Sequence, residues 1–312
     1  MKAAEFQRLV AHLGELTPEQ RRALGEALSG EGDATETVAV IEARFAEKGL
    51  CPHCQGEAQK WGYAAGLRRY RCRSCKTTFN ALTGTPLAWL KKRNTLAAYG
   101  QAMVDGLSLR KAATRCGIDL TTAFRWRHLL LEIPAATKPK ALTGVVEADE
   151  TYFLESKKGS RKLGRKPRKR GGKARKRGLS DEQIPVIVTR DRSGATLTAV
   201  LPAVTTASIT TALDQVVAKD AALVSDGAKA YRAFANATGR LHVALVASAG
   251  ERSFGTYHIQ NVNAYTSGLK GWMARFKGVA TIYLPHYLGW HRKIEHDGEG
   301  FTRLSCIAAA LE

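Results

Sequence analysis

The sequence predicts a multi-domain α/β protein in which small helical and cysteine-bearing segments precede one mixed β-sheet with helices on its faces. Two tight cysteine pairs lie between segments whose apolar residues recur at helical spacing, and strand and helix patterns alternate in the second half of the chain. A chain of 312 residues is long enough to form several hydrophobic cores. We expect a helical module at 1–48, a ribbon at 49–93, a helix-turn-helix at 94–138, and the mixed-sheet domain at 139–312 with a basic loop at 157–179.

Charge and cysteine usage narrow the class of function. The formal net charge of +20 favours a nucleic-acid partner over a small acidic ligand. No apolar run reaches the roughly 18 residues of a membrane span, and the N-terminus lacks a signal-peptide core, so we expect a cytoplasmic protein. In a reducing compartment, four paired cysteines out of six indicate metal ligation rather than disulfides.

The first segment has three predicted helices. Apolar residues from Leu9 to Leu16 recur at helical spacing, Thr17 and Gln20 form a typical helix start, and a third helix is expected over 34–48. Six basic and nine acidic residues up to residue 50 make this a packing or dimerisation module rather than a DNA surface.

The cysteines follow the spacing of a zinc ribbon. Seventeen residues separate the pair Cys51 and Cys54 from the pair Cys72 and Cys75. Four thiolates close a tetrahedral shell around one structural zinc ion and leave no open position for chemistry. Nine basic residues against one acid over 51–94 predict contact between the ribbon and a phosphate backbone.

Residues 109–131 have the pattern of a helix-turn-helix. Gly117 provides the tight turn, and Leu120 begins the second helix. The groove-facing side of that helix is predicted to carry Thr121, Thr122, Arg125 and Arg127.

The basic loop has the most extreme composition of the chain. Residues 157–177 contain thirteen basic residues and no acid, which predicts a disordered or partly ordered loop that grips phosphate in a salt-dependent way. Its candidate DNA contacts are Arg165, Lys166, Arg168, Lys169 and Arg170.

Two predicted strands end on carboxylates. The strand over 144–148 runs into Asp149 and Glu150, and the strand over 221–224 is followed by Asp226. Desolvated carboxylates need a counter-charge, so the two aspartates predict one divalent-cation site. Strand alternation places Glu147 on the same side as Asp149 and Glu150 on the opposite side, and we interpret both glutamates as structural or supporting residues.

The element order is that of a ribonuclease H-like domain. A strand, a hairpin at 184–201, and then alternating helices and strands predict a mixed sheet whose first and fourth strands are adjacent. Asp149 and Asp226 would then meet. Asn263 and Lys270 are seven residues apart on one helix face and can lean over them, Asn263 as a neutral oxygen ligand and Lys270 as a cation.

Together the motifs CPHC…CRSC, KTTF…TGTPL, EADETYF, VSDGAKAY and HIQNVNAYTSGLKGW resemble the DDE-type transposases of bacterial insertion sequences, in particular the ISXO-like group with a zinc ribbon. The resemblance implies that Asp149 and Asp226 are the first two catalytic acids, that Asn263 occupies the third acidic position, and that Lys270 is the accompanying lysine. Glutamate is commoner at the third position. The chain then resembles an active variant of the DDNK type, with Glu147, Glu150 or His258 available to compensate.

The resemblance also implies the chemistry. Two Mg²⁺ or Mn²⁺ ions about 3.5–4 Å apart would support DNA cleavage and strand transfer, with Asp149 bridging both ions and Asp226 and Asn263 each completing one. The expected partners are double-stranded DNA, as terminal inverted repeats and target, and a second copy of the chain in a dimeric synaptic complex. No membrane partner is expected, and the location would be the bacterial nucleoid.

Two other functions fit the same residues. A non-catalytic zinc-ribbon DNA-binding protein is favoured by the neutral residue at position 263. A nuclease of the same fold would hydrolyse DNA without joining it. An assay of cleavage and joining on the element's own ends separates all three.

Overall fold

The computed structural model describes residues 3–168, 172–176, 180–246 and 249–311. The chain forms two compact units, Met1–Leu130 with Thr302–Glu312, and Leu131–Phe301. Residues 302–312 belong to the first unit because α10 (Arg303–Ala308) packs against helices of that unit. In the described part of the chain, no helix has both the length and the apolar composition needed to cross a membrane.

The N-terminal segment contains α1 (Ala3–His12) and one long helix, α2 (Pro18–Lys48), where the sequence predicted two. The predicted start of α2 is confirmed, because Thr17 Oγ1 accepts from the Gln20 amide at 3.2 Å and Gln20 Oε1 accepts from the Thr17 amide at 2.9 Å. Its central glycines lower helix propensity, but no proline interrupts the hydrogen-bond ladder, so the helix continues.

The ribbon is a three-stranded antiparallel sheet of β1 (Ala58–Ala64), β2 (Leu67–Cys72) and β3 (Thr78–Asn80). The last turns of α2 belong to its core. The Phe45 ring lies 3.9 Å from the Tyr70 ring and 5.6 Å from the Phe79 ring, measured between centroids. Glu42 accepts hydrogen bonds from the Arg68 amide at 2.8 Å and the Tyr70 hydroxyl at 3.1 Å.

Helices α3 (Leu96–Val104), α4 (Leu109–Arg115) and α5 (Leu120–Ala136) follow the ribbon. The predicted turn is present, with Gly117 at a φ of +59° and Ile118 buried behind it. The prediction that Arg127 faces a DNA groove is wrong. Arg127 is fully buried, and its guanidinium donates to the Leu107 carbonyl oxygen at 2.7 Å, because helical periodicity places it on one side of α5 with the buried Ala123 and Leu130.

The second unit is built on one mixed sheet. Its strands are β4 (Val145–Leu154), β5 (Gln183–Asp191), β6 (Thr196–Val200), β7 (Ala222–Ser225) and β8 (Leu241–Ala244). The spatial order is β6-β5-β4-β7-β8, with antiparallel pairing from β4 to β6 and parallel pairing from β4 to β8. The predicted adjacency of the first and fourth strands is confirmed.

Helices cover both faces of this sheet. On one face, α6 (Thr206–Leu213) and α7 (Lys229–Thr238) pack against Val146 and Ala148 of β4. On the other, α8 (Gln260–Ala274) and α9 (Leu284–Asp297) contact β4 to β6. A short hairpin, β9 (Ser253–Phe254) and β10 (Tyr257–His258), leads into α8.

An aromatic layer joins α8 to α9, and His291 is buried within it. The His291 ring lies edge-on to Tyr265 at 4.9 Å and to Trp272 at 5.3 Å between ring centroids. Burial, together with the charges of Arg190 and Arg275, lowers the pKa of His291 to about 4. The imidazole is therefore neutral in the folded protein near neutral pH.

His291 makes the stability of the second unit sensitive to acid. The pKa of His291 in the folded protein lies below the ordinary value of about 6.5. Its contribution to the stability of the folded state is therefore complete above pH 6.5 and is lost as the pH falls towards 4. When the pH falls from 7 to 4.5, we expect the unfolding free energy of the unmodified chain to drop by on the order of 2 kcal/mol more than that of His291→Phe. Urea denaturation at both pH values measures this.

Candidate active site and zinc centre

The four ribbon cysteines form one cluster. Their sulfur atoms all lie within 4.8 Å of one another, with 3.7 Å from Cys51 to Cys75 and 3.5 Å from Cys54 to Cys72. A tetrahedral zinc ion with bonds of about 2.3 Å places its sulfur ligands about 3.8 Å apart. The residues present therefore fit one zinc ion, and four thiolates leave no position for a substrate.

Two equivalent turns shape this cluster. Gln55 and Lys76, which follow the second cysteine of each pair, both adopt a left-handed conformation with φ of 60°. The amide two residues after Cys51 donates to its Sγ at 3.4 Å, and the amide two residues after Cys72 donates to its Sγ at 3.3 Å. These N–H donors stabilise thiolate charge, as a structural zinc site requires.

A second cluster joins the carboxylates of Asp149, Glu150 and Asp226. One oxygen of each lies within 4.8 Å of the others. The parallel register pairs Glu147 with Val224, so the residue after β7 comes beside Asp149. The structure therefore brings Asp149 and Asp226 together, as the strand order predicted.

Burial dominates the electrostatics of this carboxylate cluster. The pKa of Asp149 is raised to about 6, mainly by burial and also by the charge of Asp226. The Glu150 amide, which donates to Asp149 Oδ1 at 2.8 Å, and the positive charge of Lys270 act in the opposite direction. Burial also raises the pKa of Glu150. Ionised carboxylates are thus held close together at an electrostatic cost that a cation would offset.

The donor set fits a hard divalent cation. Carboxylate oxygens are the ligands that Mg²⁺ and Mn²⁺ prefer. One oxygen of Glu150, Oε1, is buried and has no hydrogen-bond partner among the described residues. Polar atoms buried in this way normally have a partner, so the cluster is suited to receive one.

Helix α8 carries the two remaining predicted residues. Lys270 is exposed, yet its charge lowers the pKa of Asp149, so its ammonium lies within electrostatic reach of the carboxylate cluster. Asn263 is also exposed and lies about two turns earlier on the same helix. Its role as a metal ligand stays a prediction.

Glu147 anchors the start of α8 to β4. Its buried carboxylate accepts from the Val262 amide and from Asn261 Nδ2, both at 3.0 Å. It also pairs with Arg192 at 2.7 Å and with His258 at 3.4 Å. A carboxylate at a helix N-terminus is further stabilised by the helix dipole. Glu147, which lies two residues before Asp149 on β4, therefore fixes the position of the start of α8.

Sequence reasoning gave Glu147 a structural role and did not identify its partners. Arg192 lies in the β5–β6 turn, and its guanidinium also contacts His258 Nε2 at 2.8 Å and the Thr256 carbonyl oxygen at 2.9 Å. No local pattern in the sequence signals that contact, since it joins segments more than 60 residues apart. The sequence signal for a structural role of Glu147 was its position two residues before the strand-terminal Asp149.

Replacing Glu147 with glutamine tests this anchor. Glutamine keeps the size of the side chain but leaves the Arg192 charge unpaired, so we expect a loss of about 2–3 kcal/mol in unfolding free energy. Amide hydrogen exchange at the start of α8 should accelerate. Glu295→Gln removes a more exposed partner, 3.9 Å from Arg190, and should cost under about 1 kcal/mol. Equal losses in both variants would contradict the anchoring role.

Part of the basic loop is folded onto acidic residues. Glu155, just after β4, pairs with Arg165 at 3.2 Å and Arg168 at 4.0 Å, and Glu182, just before β5, pairs with Arg168 at 3.8 Å. Lys166 is exposed. The other two predicted DNA contacts, Lys169 and Arg170, lie outside the described residues.

A cavity of about 800 Å³ lies between the end of β4, the basic loop and the end of α8. Its wall includes the cations Lys157, Lys158, Lys270 and Lys277 as well as apolar residues such as Phe153. Lys270 thus belongs both to this basic cavity and to the electrostatic surroundings of Asp149.

Two family models match the chain. The ISXO2-like transposase domain matches residues 141–290, and the transposase zinc-ribbon domain matches residues 33–78. A protein of the transposable element ISH50 from Halobacterium salinarum, itself described as uncharacterized, is 29% identical over 263 residues, which are 80% of this chain and 86% of that protein.

Solved structures of Mos1 transposase are also similar to the chain. A pre-cleavage transpososome is 14% identical, with 69% of this chain and 79% of that chain covered and a TM-score of 0.23. A paired-end complex with the left transposon end is 15% identical, with coverages of 69% and 78% and a TM-score of 0.19. Similarity at these scores carries no weight for the fold or the chemistry.

The two family matches coincide with the two clusters. Residues 33–78 span the last turns of α2 and the four cysteines, and residues 141–290 span the sheet, the carboxylates and α8. The matches together cover more than half of the chain. The chain thus combines an ISXO2-like transposase domain with a transposase zinc-ribbon domain.

Proposed function

We propose that the chain binds the ends of its insertion sequence and catalyses metal-dependent cleavage and transfer of DNA strands. The observation that carries this proposal is the meeting of Asp149 and Asp226 at the ends of two adjacent parallel strands, within the segment that matches the transposase domain. The order and directions of the five strands support a ribonuclease H-like fold for this unit.

The catalytic roles follow from position and charge. Asp149, Asp226 and Asn263 would hold Mg²⁺ or Mn²⁺, which when bound activates the attacking oxygen and stabilises the leaving oxygen of an in-line displacement. The charge of Lys270 acts on Asp149, and Lys270 would contact the phosphate group. Glu147 keeps α8, and with it Asn263 and Lys270, in register with β4.

Exposed aromatic and basic side chains support DNA binding by the first unit. Arg68 stacks over the Tyr63 ring at 4.6 Å and Arg71 over the Trp61 ring at 4.7 Å, and both rings are exposed. In the proposed helix-turn-helix, Thr121 and Arg125 are exposed and Thr122 is half-buried at the start of α5. Binding through such residues falls steeply with salt.

The basic cavity and loop support a second DNA contact. Four lysines line the cavity together with Arg165 and Arg168 of the loop, and the charge of one of them, Lys270, also acts on Asp149. We place the DNA strand that carries the reacting phosphate along this surface. A second copy of the chain, in a dimer, would bring the other end of the element.

A cleavage and joining assay tests the proposed function. A duplex carrying the element's terminal repeat is incubated with Mn²⁺ and a target plasmid, and we expect nicked ends followed by strand-transfer products. Cleavage without joining would identify a nuclease of the same fold. Specific binding without cleavage would identify a DNA-binding protein without this activity.

Asn263→Glu tests the predicted third ligand. A carboxylate at this position adds charge for the cation, so we expect cleavage to be retained or increased and the Mg²⁺ requirement to shift to lower concentration. A titration of Mg²⁺ against cleavage rate measures the shift. Asn236→Glu adds the same charge on the exposed surface of α7 and should leave the titration unchanged. An identical metal dependence in both variants would make Asn263 a helix-surface residue.

A further inference from the structure

Glu150 joins the carboxylate cluster although strand alternation directs it to the opposite face from Asp149. Strand β7 stops at Ser225, whereas β4 continues to Leu154, so β4 has no neighbour on that side beyond the position of Asp149. The glutamate side chain is one methylene longer than aspartate. One oxygen of its carboxylate lies within 4.8 Å of an oxygen of each aspartate.

A buried tyrosine lies behind Glu150. Tyr231 of α7 is fully buried, and its hydroxyl makes no hydrogen bond of ordinary geometry with a described residue. After burial as the main cause, the charge of Glu150 and a side-chain interaction with Glu150 raise the pKa of Tyr231, as do the charges of Asp149 and Asp226. Glu150 Oε1 is buried and without a hydrogen-bond partner in the same part of the structure.

Unsatisfied polar atoms and repelling charges are costly together. A buried hydroxyl or carboxylate oxygen without a partner destabilises the folded state, and close like charges add to this. The exposed Lys270 supplies only one positive charge. A divalent cation bound by all three carboxylates would offset the repulsion and satisfy the oxygen of Glu150.

We infer that Glu150 is a direct ligand of the divalent cation, together with Asp149 and Asp226, and that the Tyr231 hydroxyl orients the Glu150 carboxylate. This inference rests on the proposed function, because the same cation serves the proposed reaction. Glu150 would be the third carboxylate ligand of the site, and because it lies on β4, its contribution does not depend on what Asn263 contributes from α8.

Manganese binding to the zinc-loaded, full-length protein tests the inference without an activity assay. The free Mn²⁺ signal in electron paramagnetic resonance gives the number and affinity of bound ions. We expect Glu150→Gln to weaken Mn²⁺ binding by roughly tenfold or more, and Tyr231→Phe to weaken it by a smaller factor. Asp181→Asn removes the same charge at an exposed position outside the cluster and should bind Mn²⁺ like the unmodified chain.

Thermal unfolding separates loss of a ligand from loss of the fold. Glu150→Gln removes one of three repelling carboxylates, so without Mn²⁺ it should unfold at the same temperature as the unmodified chain or higher. Added Mn²⁺ raises the unfolding temperature in proportion to binding, and this increase should be smaller in the variant.

The Asp149→Asn variant distinguishes the possible failures. If it loses Mn²⁺ binding while Glu150→Gln binds as the unmodified chain does, the inference about Glu150 is overturned and the proposed cation site stands. If Asp149→Asn, Asp226→Asn and Glu150→Gln all bind Mn²⁺ unchanged, the cation site itself fails, and with it both the inference and the catalytic role proposed above.

Discussion

Replacing Asp149 or Asp226 with asparagine is expected to abolish DNA cleavage and joining while leaving binding to the element's ends intact. Each carboxylate lies within 4.8 Å of the other, so either change removes a charge from the same cation site. A loss of more than about a thousandfold in rate, which corresponds to over about 4 kcal/mol of transition-state stabilisation, is expected from both variants.

The measurement pairs single-turnover cleavage with a DNA-binding assay at matched salt. Asparagine keeps the shape of aspartate and relieves repulsion in the cluster, so the unfolding temperature without metal should not fall. Asp181→Asn serves as the control for charge, since Asp181 is exposed. Cleavage at the unmodified rate in either cluster variant would refute the assignment of the active site.

Replacing Cys72 with serine is expected to release zinc and unfold the ribbon. Cys72 is fully buried, and its sulfur accepts two backbone N–H bonds besides its place in the four-sulfur cluster. Binding of structural zinc is worth about 10–16 kcal/mol in small zinc domains, far more than the packing of Phe45 on Tyr70 can supply. The end of α2 should lose its ordered contact with the ribbon at the same time.

Zinc content, circular dichroism and DNA binding measure the effect of Cys72→Ser. Cys116→Ser provides the matched control, because Cys116 is a half-buried residue in the turn before α5 and not part of the cluster. The control should keep one zinc per chain. A Cys72→Ser protein that retains full zinc and an ordered ribbon would contradict the assignment.

Local chemistry made much of this architecture predictable. The cysteine spacing, the capping residues at Thr17 and the strand endings at Asp149 and Asp226 are each determined by a few neighbouring residues. The parallel pairing of the first and fourth strands then follows from the order of elements. These features predicted the cysteine cluster for zinc and two of the three clustered carboxylates.

Features that depend on distant parts of the chain were not predictable. Arg127 was expected on a DNA-facing surface, but tertiary packing buries it against the Leu107 carbonyl. Strand alternation predicted that Glu150 points away from Asp149. That rule does not take into account that the neighbouring strand β7 ends early. The contact between Glu147 and Arg192 depends on a turn 45 residues further along the sequence.

The return of residues 302–311 to the first unit has a consequence for biosynthesis. Arg44 donates to the Leu311 carbonyl at 2.6 Å, and Gly100 approaches the Arg303 backbone so closely that an added Cβ would lie 3.0 Å from its carbonyl oxygen. A ribosome delivers these last residues only after all of 131–301 has been made. The zinc-bearing unit therefore reaches its final packing after translation of its neighbour, and a premature stop codon within that neighbour would leave both units incomplete.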